Sequence, residues 1–112
     1  MINRVAVVVR PRQPLVDWVR FNDPQDPSIT LDDAREDSTV YLLPGDADPP
    51  GYGDIVAEVW DSIFEQELAS WYTDEDLWPQ GRTLEMFWQW FECEFHSGIV
   101  DLTDAPLEDD GF

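Results

Sequence analysis

A run of five consecutive apolar residues near the start of the chain, Val5 to Val9, restricts the folds that are open to it. Four of the five are valine, and Pro11 follows soon after the run, which is typical of a strand rather than of a helix. A strand without polar breaks fits the centre of a sheet that is covered on both faces. We therefore predict a central strand over residues 2–9.

Two more strand patterns follow, over residues 38–43 and 99–102. Pro14 can occupy the first turn of a short helix that lies between the first two strands. Because a helix separates these strands, the pattern favours a right-handed parallel crossover between them. Thr30 begins a polar stretch that could cap one helical turn.

Two longer segments have the apolar spacing of amphipathic helices, residues 55–71 and residues 83–96. Asp54 is the expected N-cap of the first helix and Thr83 that of the second. The order of elements is therefore β-α-β-α-α-β. It predicts an α+β fold in which a small three-stranded sheet is covered by two main amphipathic helices. We expect one domain over residues 1–103 and an acidic tail over residues 104–112.

The charge is divided unevenly along the chain, which carries 25 acidic and six basic residues and a formal net charge of −19. Residues 1–35 hold five arginines and five acids, whereas Arg82 is the only basic residue after them. A field of this sign repels nucleic acid and anionic lipid and attracts basic protein surfaces. We therefore expect no direct nucleic-acid binding and no membrane association.

Cysteine content and hydropathy indicate the compartment. Cys93 is the only cysteine, so no intramolecular disulfide can form, which favours a reducing environment. The apolar run at the start is too short for a signal peptide, and no segment is long and apolar enough to span a bilayer. We expect a bacterial cytoplasmic protein.

The candidate interaction residues lie mainly on the helix predicted over residues 55–71. Asp54, Glu58, Asp61 and Glu65 recur every three or four residues, which places like charges on one side of that helix. Such a row is either a solvated face or a docking face for a basic protein, and spaced carboxylates can also imitate the phosphates of a nucleic acid. Trp78 and Trp90 fall outside the apolar stripes and are the candidate exposed aromatics, for a partner or for a second copy of the chain.

An enzyme or a metal-dependent protein is the alternative, and it depends on Glu92 and His96, one turn apart on the second predicted helix. One histidine and one cysteine are too few nitrogen and sulfur ligands for a zinc site, and the spacing differs from that of a di-iron site. A nucleophile elbow is also missing. We therefore assign no catalytic residue, no metal and no cofactor, and we expect the chain not to be an enzyme.

Two stretches of the chain resemble a family of small acidic bacterial proteins of unestablished function. They are the opening residues 3–11 with Trp18, and the second half from Leu68 to Pro79 and from Phe87 to Asp101. Members have been labelled VacJ, after an outer-membrane lipoprotein. This chain shows neither a signal peptide nor a lipobox cysteine, so we expect no lipid anchor. The resemblance implies no catalytic or binding residue.

Overall fold

The computed structural model describes residues 4–23, 28–36, 38–44 and 52–103, and the expected acidic tail lies outside them. In chain order the elements are strand β1 (Arg4–Pro11), helices α1 (Gln13–Asn22) and α2 (Leu31–Arg35), strand β2 (Thr39–Pro44), helix α3 (Tyr52–Trp71), a 3-10 turn (Glu75–Leu77), helix α4 (Leu84–Trp90) and strand β3 (Phe91–His96). This confirms the predicted α+β fold with a three-stranded sheet.

Strand β1 is the centre of the sheet, as the valine run predicts, and the strand order is β2-β1-β3. Both neighbours pair with it antiparallel, with Val7 opposite Tyr41 on β2 and opposite Phe95 on β3. The expected parallel crossover between the first two strands is therefore wrong. The chain between β1 and β2 forms α1 and α2 and then returns in the opposite direction, so no crossover over the sheet is needed.

Only one face of β1 is fully buried, so the expected cover on both faces is also wrong. Val5, Val7 and Val9 are inaccessible to solvent, whereas Ala6 and Val8 on the other face are half-buried. We call the first face the inner face and the second the outer face. The helices pack on the inner face, and the core between them contains the following residues: Val5, Val7, Val9, Leu15, Leu43, Val56, Ile63, Phe64, Leu68, Trp78, Phe87 and Phe91.

Phe64 of α3 lies at the centre of this core and is fully buried. Its ring centroid is 5.2 Å from that of Phe91, 5.5 Å from that of Trp90 and 6.1 Å from that of Phe87. Pairs of aromatic rings at these separations contribute about 0.5–1.5 kcal/mol each beyond their buried area. The aromatic cluster therefore joins α3 to α4 and to the start of β3.

The second predicted helix is shorter than expected, because residues 91–96 form β3 instead of its C-terminal half. Phe91 has φ −138° and ψ 150°, so the chain passes from helix to strand within one residue. The sequence FECEFH also alternates between apolar and polar, and β1 offers an edge that this alternation matches. The backbone amide of Arg12 donates to the Trp90 carbonyl at 2.7 Å, and the Arg12 side chain donates to the Phe91 carbonyl, which fixes the junction.

The strand predicted over residues 99–102 is wrong, since this segment has no regular structure and Leu102 is 93% exposed.

Helix α3 begins at Tyr52, so Asp54 lies in its first turn and is not the N-cap. Two other caps are confirmed. Thr30 forms a capping box with Asp33 at the start of α2, and the Thr83 hydroxyl accepts a bond from the Met86 amide at the start of α4.

Candidate functional site

Four carboxylates lie in a row along α3, and we call Asp54, Glu58, Asp61 and Glu65 the acidic stripe. Their spacing of four, three and four residues keeps them within about 60° of one another around the helix axis and over about 16 Å along it. The first three residues are exposed and Glu65 is half-buried. The structure therefore brings the four predicted interaction residues together on one side of the helix.

Arg82 partly neutralises the C-terminal half of the acidic stripe. Its guanidinium Nε is 3.2 Å from Asp61 Oδ1, and one terminal nitrogen is 3.6 Å from Glu65 Oε1. The same guanidinium lies 5.8 Å from the ring centroid of Phe64 and 5.9 Å from that of Trp78. Among the described residues, Asp54 and Glu58 form no ion pair, so the negative potential is strongest at the N-terminal half of the stripe.

Four of the five arginines in the neutral first third are used within the fold. Arg10 pairs with Glu94, and Arg35 pairs with Glu92 at 2.9 Å. Arg12 and Arg20 donate to backbone carbonyls of Phe91 and Ile29, at 3.1 and 2.8 Å respectively. These cations hold the sheet and the nearby segments together. They are therefore not available to balance the exposed carboxylates of α3.

The expectation that Trp78 is exposed is wrong. Its side chain is only 9% exposed, and its indole N–H donates to the Tyr72 carbonyl at 2.8 Å. Trp90 is half-buried, with its ring 5.5 Å from Phe64 and 6.2 Å from Trp18. Both tryptophans pack against the core, so neither extends the acidic stripe as an exposed aromatic surface.

Glu92 and His96 are placed on a strand, and the helical arrangement expected for them is wrong. On β3 they point to the outer face together with Glu94, whose Oε1 atom is 3.3 Å from His96 Nε2. The His96 side chain is 56% exposed, and Glu92 is engaged by Arg35. Neither residue lines any of the cavities discussed below, so the geometry that the alternative enzyme hypothesis requires is not formed there.

Cys93 lies on the inner face of β3 and is half-buried. Burial raises the pKa of its thiol to about 12; the positive charge of Arg12 acts in the opposite direction, and the carboxylates of Glu67 and Glu92 raise the pKa further. A thiol in this environment stays protonated and is a poor nucleophile.

A buried carboxylate that the sequence analysis missed stands on the opposite side of α3 from the acidic stripe. Glu67 is 8% exposed, and its Oε2 atom accepts a 3.0 Å hydrogen bond from the Tyr41 phenol of β2. Burial raises the pKa of Glu67, and its hydrogen bonds to Tyr41 and Thr39 oppose that shift. Burial also raises the pKa of Tyr41, and the Glu67 charge adds to the effect.

Two cavities share Glu67 as a wall residue. The smaller one has a volume of about 140 Å³ and reaches from Pro11 and Leu15 across to Trp71. The larger one, of about 470 Å³, lies on the side of Tyr41 and Thr73. The sequence contains a signal for this site. Ile63, Phe64, Glu67 and Leu68 have the spacing of one helix face, so an acid occupies a position that the pattern assigns to the core.

Neither a metal-binding cluster nor a membrane-spanning helix is present in the described part of the chain. Over residues 4–23, 28–36, 38–44 and 52–103, no group of three or more His, Cys, Asp or Glu side chains is placed to hold a metal ion. Among the helices of that part of the chain, none has the length and apolar character required to cross a bilayer.

Comparisons with known proteins assign no function to this geometry. No protein-family model, no curated protein and no solved structure matches the chain, so its resemblance to the acidic bacterial family stays a prediction.

Proposed function

We propose that this protein binds a basic protein surface through the acidic stripe of α3. The proposal rests on one observation, which is that, in the described part of the chain, the basic side chains are paired while two carboxylates of the stripe are not. The arginines described above are engaged in ion pairs or in hydrogen bonds to carbonyl groups, whereas Asp54 and Glu58 remain uncompensated among the described residues. Fixed carboxylates on a rigid helix attract a cationic partner and determine its orientation.

The N-terminal half of the stripe is the centre of the proposed contact. Like charges at these spacings cost a helix a few tenths of a kcal/mol per pair. Asp54 recovers part of that cost in the first turn, where the helix dipole favours an anion, but Glu58 is one turn further along. A cation that docks beside Glu58 would relieve this repulsion. Binding of a basic partner would therefore also stabilise the helix.

Mimicry of a nucleic acid is the sharpest form of this proposal, because a protein that binds phosphates presents the arginines and lysines that the stripe requires. The alternative of an enzyme at Glu92 and His96 has no comparable support. His96 is exposed on the outer face of the sheet, and its contact is with Glu94. We therefore propose a binding role and assign no catalytic residue.

A pair of matched double variants tests the proposal. Asp54→Arg with Glu58→Arg changes the net charge by the same amount as Asp17→Arg with Glu36→Arg, and all four wild-type residues are exposed. The probe is a labelled helical peptide that carries arginines at the spacing of the stripe, and its affinity is measured by fluorescence anisotropy at two salt concentrations. We expect the first variant to weaken binding about tenfold or more and the second to have a much smaller effect.

Equal losses in both variants would show that the peptide responds only to net charge, and would overturn the proposal. Circular dichroism of each variant establishes that the helix is retained. Affinity capture from the source organism with wild type and both double variants then extends the test to natural partners. A partner of the stripe is retained by the Asp17→Arg, Glu36→Arg variant and lost with the other.

A further inference from the structure

The two cavities that share Glu67 form a second candidate binding site, separate from the acidic stripe, and we call them the recess. Its two cavities meet at Thr39, Glu67 and Ser70, which line both of them. Glu67 as a residue is more than nine-tenths buried. A buried anion is costly unless a partner compensates its charge. Tyr41 supplies a hydrogen bond to Glu67 but no positive charge.

The arginines near the recess, Arg35 and Arg12, form their hydrogen bonds and ion pairs with groups other than Glu67. Arg35 of α2 donates to the Pro11 carbonyl and pairs with Glu92, and Arg12 donates to the carbonyl of Phe91. Tyr41 and Thr39 affect the pKa of Glu67 through hydrogen bonds. The carboxylate thus stands at the junction of two cavities with hydroxyl partners alone among the described contacts.

The polar atoms on the wall of the smaller cavity act mainly as hydrogen-bond acceptors. The Ser70 hydroxyl donates its hydrogen to the Glu67 backbone carbonyl at 2.6 Å, and the Ser38 hydroxyl donates to the Arg35 carbonyl at 3.3 Å. With their hydrogens committed, these hydroxyls offer lone pairs to a ligand. The Glu67 carboxylate accepts from Tyr41 at Oε2 and also hydrogen-bonds to Thr39. Because its two oxygens carry about four lone pairs, Oε1 can still accept from a ligand as a third acceptor beside the two hydroxyls. A ligand that fits this wall must donate several hydrogen bonds.

We infer that the recess binds an alkylammonium group, with the charged nitrogen at Glu67 Oε1 and the hydroxyls of Ser38 and Ser70. An ammonium carries a positive charge and three diverging N–H donors, which suits separate acceptors. A guanidinium binds a carboxylate best through two parallel hydrogen bonds to both oxygens, and Tyr41 already donates to one of them. Pro11, Leu15, Ala34 and Trp71 give the rest of the small cavity an apolar wall suited to a methylene chain.

The test is a titration of ¹⁵N-labelled protein with n-butylammonium chloride, followed by heteronuclear NMR. We expect saturable shifts at the amides of Thr39, Glu67 and Ser70. Glu67→Gln keeps the size of the side chain and removes its charge, so it should weaken binding at least about tenfold, as expected for a hydrogen bond to a charged group. Glu85→Gln makes the same charge change at an exposed position of α4, outside both the recess and the acidic stripe, and should leave the affinity unchanged.

Ser70→Ala is a second variant, on an exposed helix position where alanine is well tolerated, and it should weaken binding severalfold. n-Butanol, which lacks the charge, and potassium chloride, which lacks the N–H donors, serve as ligand controls. Equal shifts with either control, or an unchanged affinity in Glu67→Gln, would overturn the inference. So would the absence of saturable shifts with butylammonium.

Free amines and lysine side chains share this chemistry, and a second titration distinguishes them. It uses a short peptide with one central lysine and a matched peptide with norleucine in its place. Binding of butylammonium alone assigns the recess to a small amine, whereas binding of the lysine peptide as well assigns it to a protein side chain. The inference is independent of the proposed function, because the Asp54→Arg, Glu58→Arg variant should still bind butylammonium.

Discussion

The phenol of Tyr41, on the edge strand β2, donates a 3.0 Å hydrogen bond to the carboxylate of Glu67 on α3. The bond joins the edge of the sheet to the helix that covers it, at the border between the core and two cavities. Burial raises the pKa of both groups. Stability and ligand binding are thus coupled at this pair, because each depends on whether Glu67 carries a charge.

The stability of the fold should depend on pH through Glu67. Its pKa in the folded state is above the ordinary value of 4.5, so the folded state holds this proton more tightly than the unfolded chain does. The resulting stability is fully present below the unfolded pKa and is lost as pH rises through the folded pKa. Glu67→Gln lacks the titration, so it should gain stability relative to wild type as pH rises from about 4 to about 7.

Urea denaturation followed by tryptophan fluorescence gives the free energy of unfolding of both proteins at each pH. The difference between them is the informative quantity, because the other carboxylates titrate in both. Glu65→Gln is the control, and its difference from wild type should not show this upward trend. A Glu67→Gln difference that is constant over the range, or that falls as pH rises, would contradict a raised pKa at Glu67.

Arg82 should contribute more to stability than an ordinary surface arginine. It pairs with Asp61 and Glu65, donates to the Pro79 carbonyl at 3.1 Å and stacks over two rings of the core. Its side chain is only 17% exposed. We expect Arg82→Met, which keeps much of the apolar stem, to lower the free energy of unfolding by about 1–3 kcal/mol.

Arg82→Lys distinguishes the role of the guanidinium plane from that of the charge. Lysine keeps the charge but cannot make the same forked contacts, so this variant should recover only part of the loss. Chemical denaturation at low and at high salt provides the measurement. A loss in Arg82→Met below about 0.5 kcal/mol would show that Arg82 behaves as an exposed ion-pair residue.

Local patterns predicted some elements of this fold well and others poorly, for physical reasons. The valine run of β1 fits a strand alone, and the apolar spacing of α3 fits a helix alone. Both elements are found. Residues 91–96 fit two periods at once: Phe91 and Phe95 continue a helix stripe, yet with Cys93 they also form the apolar half of a strand. Pairing with β1 decides between the two, and that partner is distant in sequence.

The candidate site was predictable to a similar degree. The acidic stripe follows from helix periodicity, and it is found. Trp78 lies beyond the end of α3, so no periodicity predicts its burial, which results from the turn at residues 72–78 and the bond to the Tyr72 carbonyl. Glu67 is marked by its position on the apolar face of α3. Its partner Tyr41 could not be inferred, because β2 is brought to α3 only by the tertiary fold.

The thiol of Cys93 should react slowly in the folded protein. Its pKa of about 12 leaves almost no thiolate near neutral pH, and the thiolate is the form that attacks an alkylating reagent. We expect iodoacetamide to modify the native protein at least about tenfold more slowly than the chain in urea, measured by mass spectrometry over time. Equal rates in the two states would show that the fold neither shields the thiol nor raises its pKa.

Neutralising Glu58 should stabilise the protein, although it removes a charge from the proposed binding surface. Glu58 has like charges one turn away on both sides, at Asp54 and Asp61, and it forms no ion pair among the described residues. We expect Glu58→Gln to raise the free energy of unfolding by a few tenths of a kcal/mol at low salt, and by less at about 1 M sodium chloride, where the Debye length is about 3 Å. Glu65→Gln should have the opposite sign, because it removes a partner of Arg82. The two variants differ only in which carboxylate is neutralised, so equal effects in thermal and urea unfolding would mean that Arg82 does not divide the stripe into a compensated half and an uncompensated half.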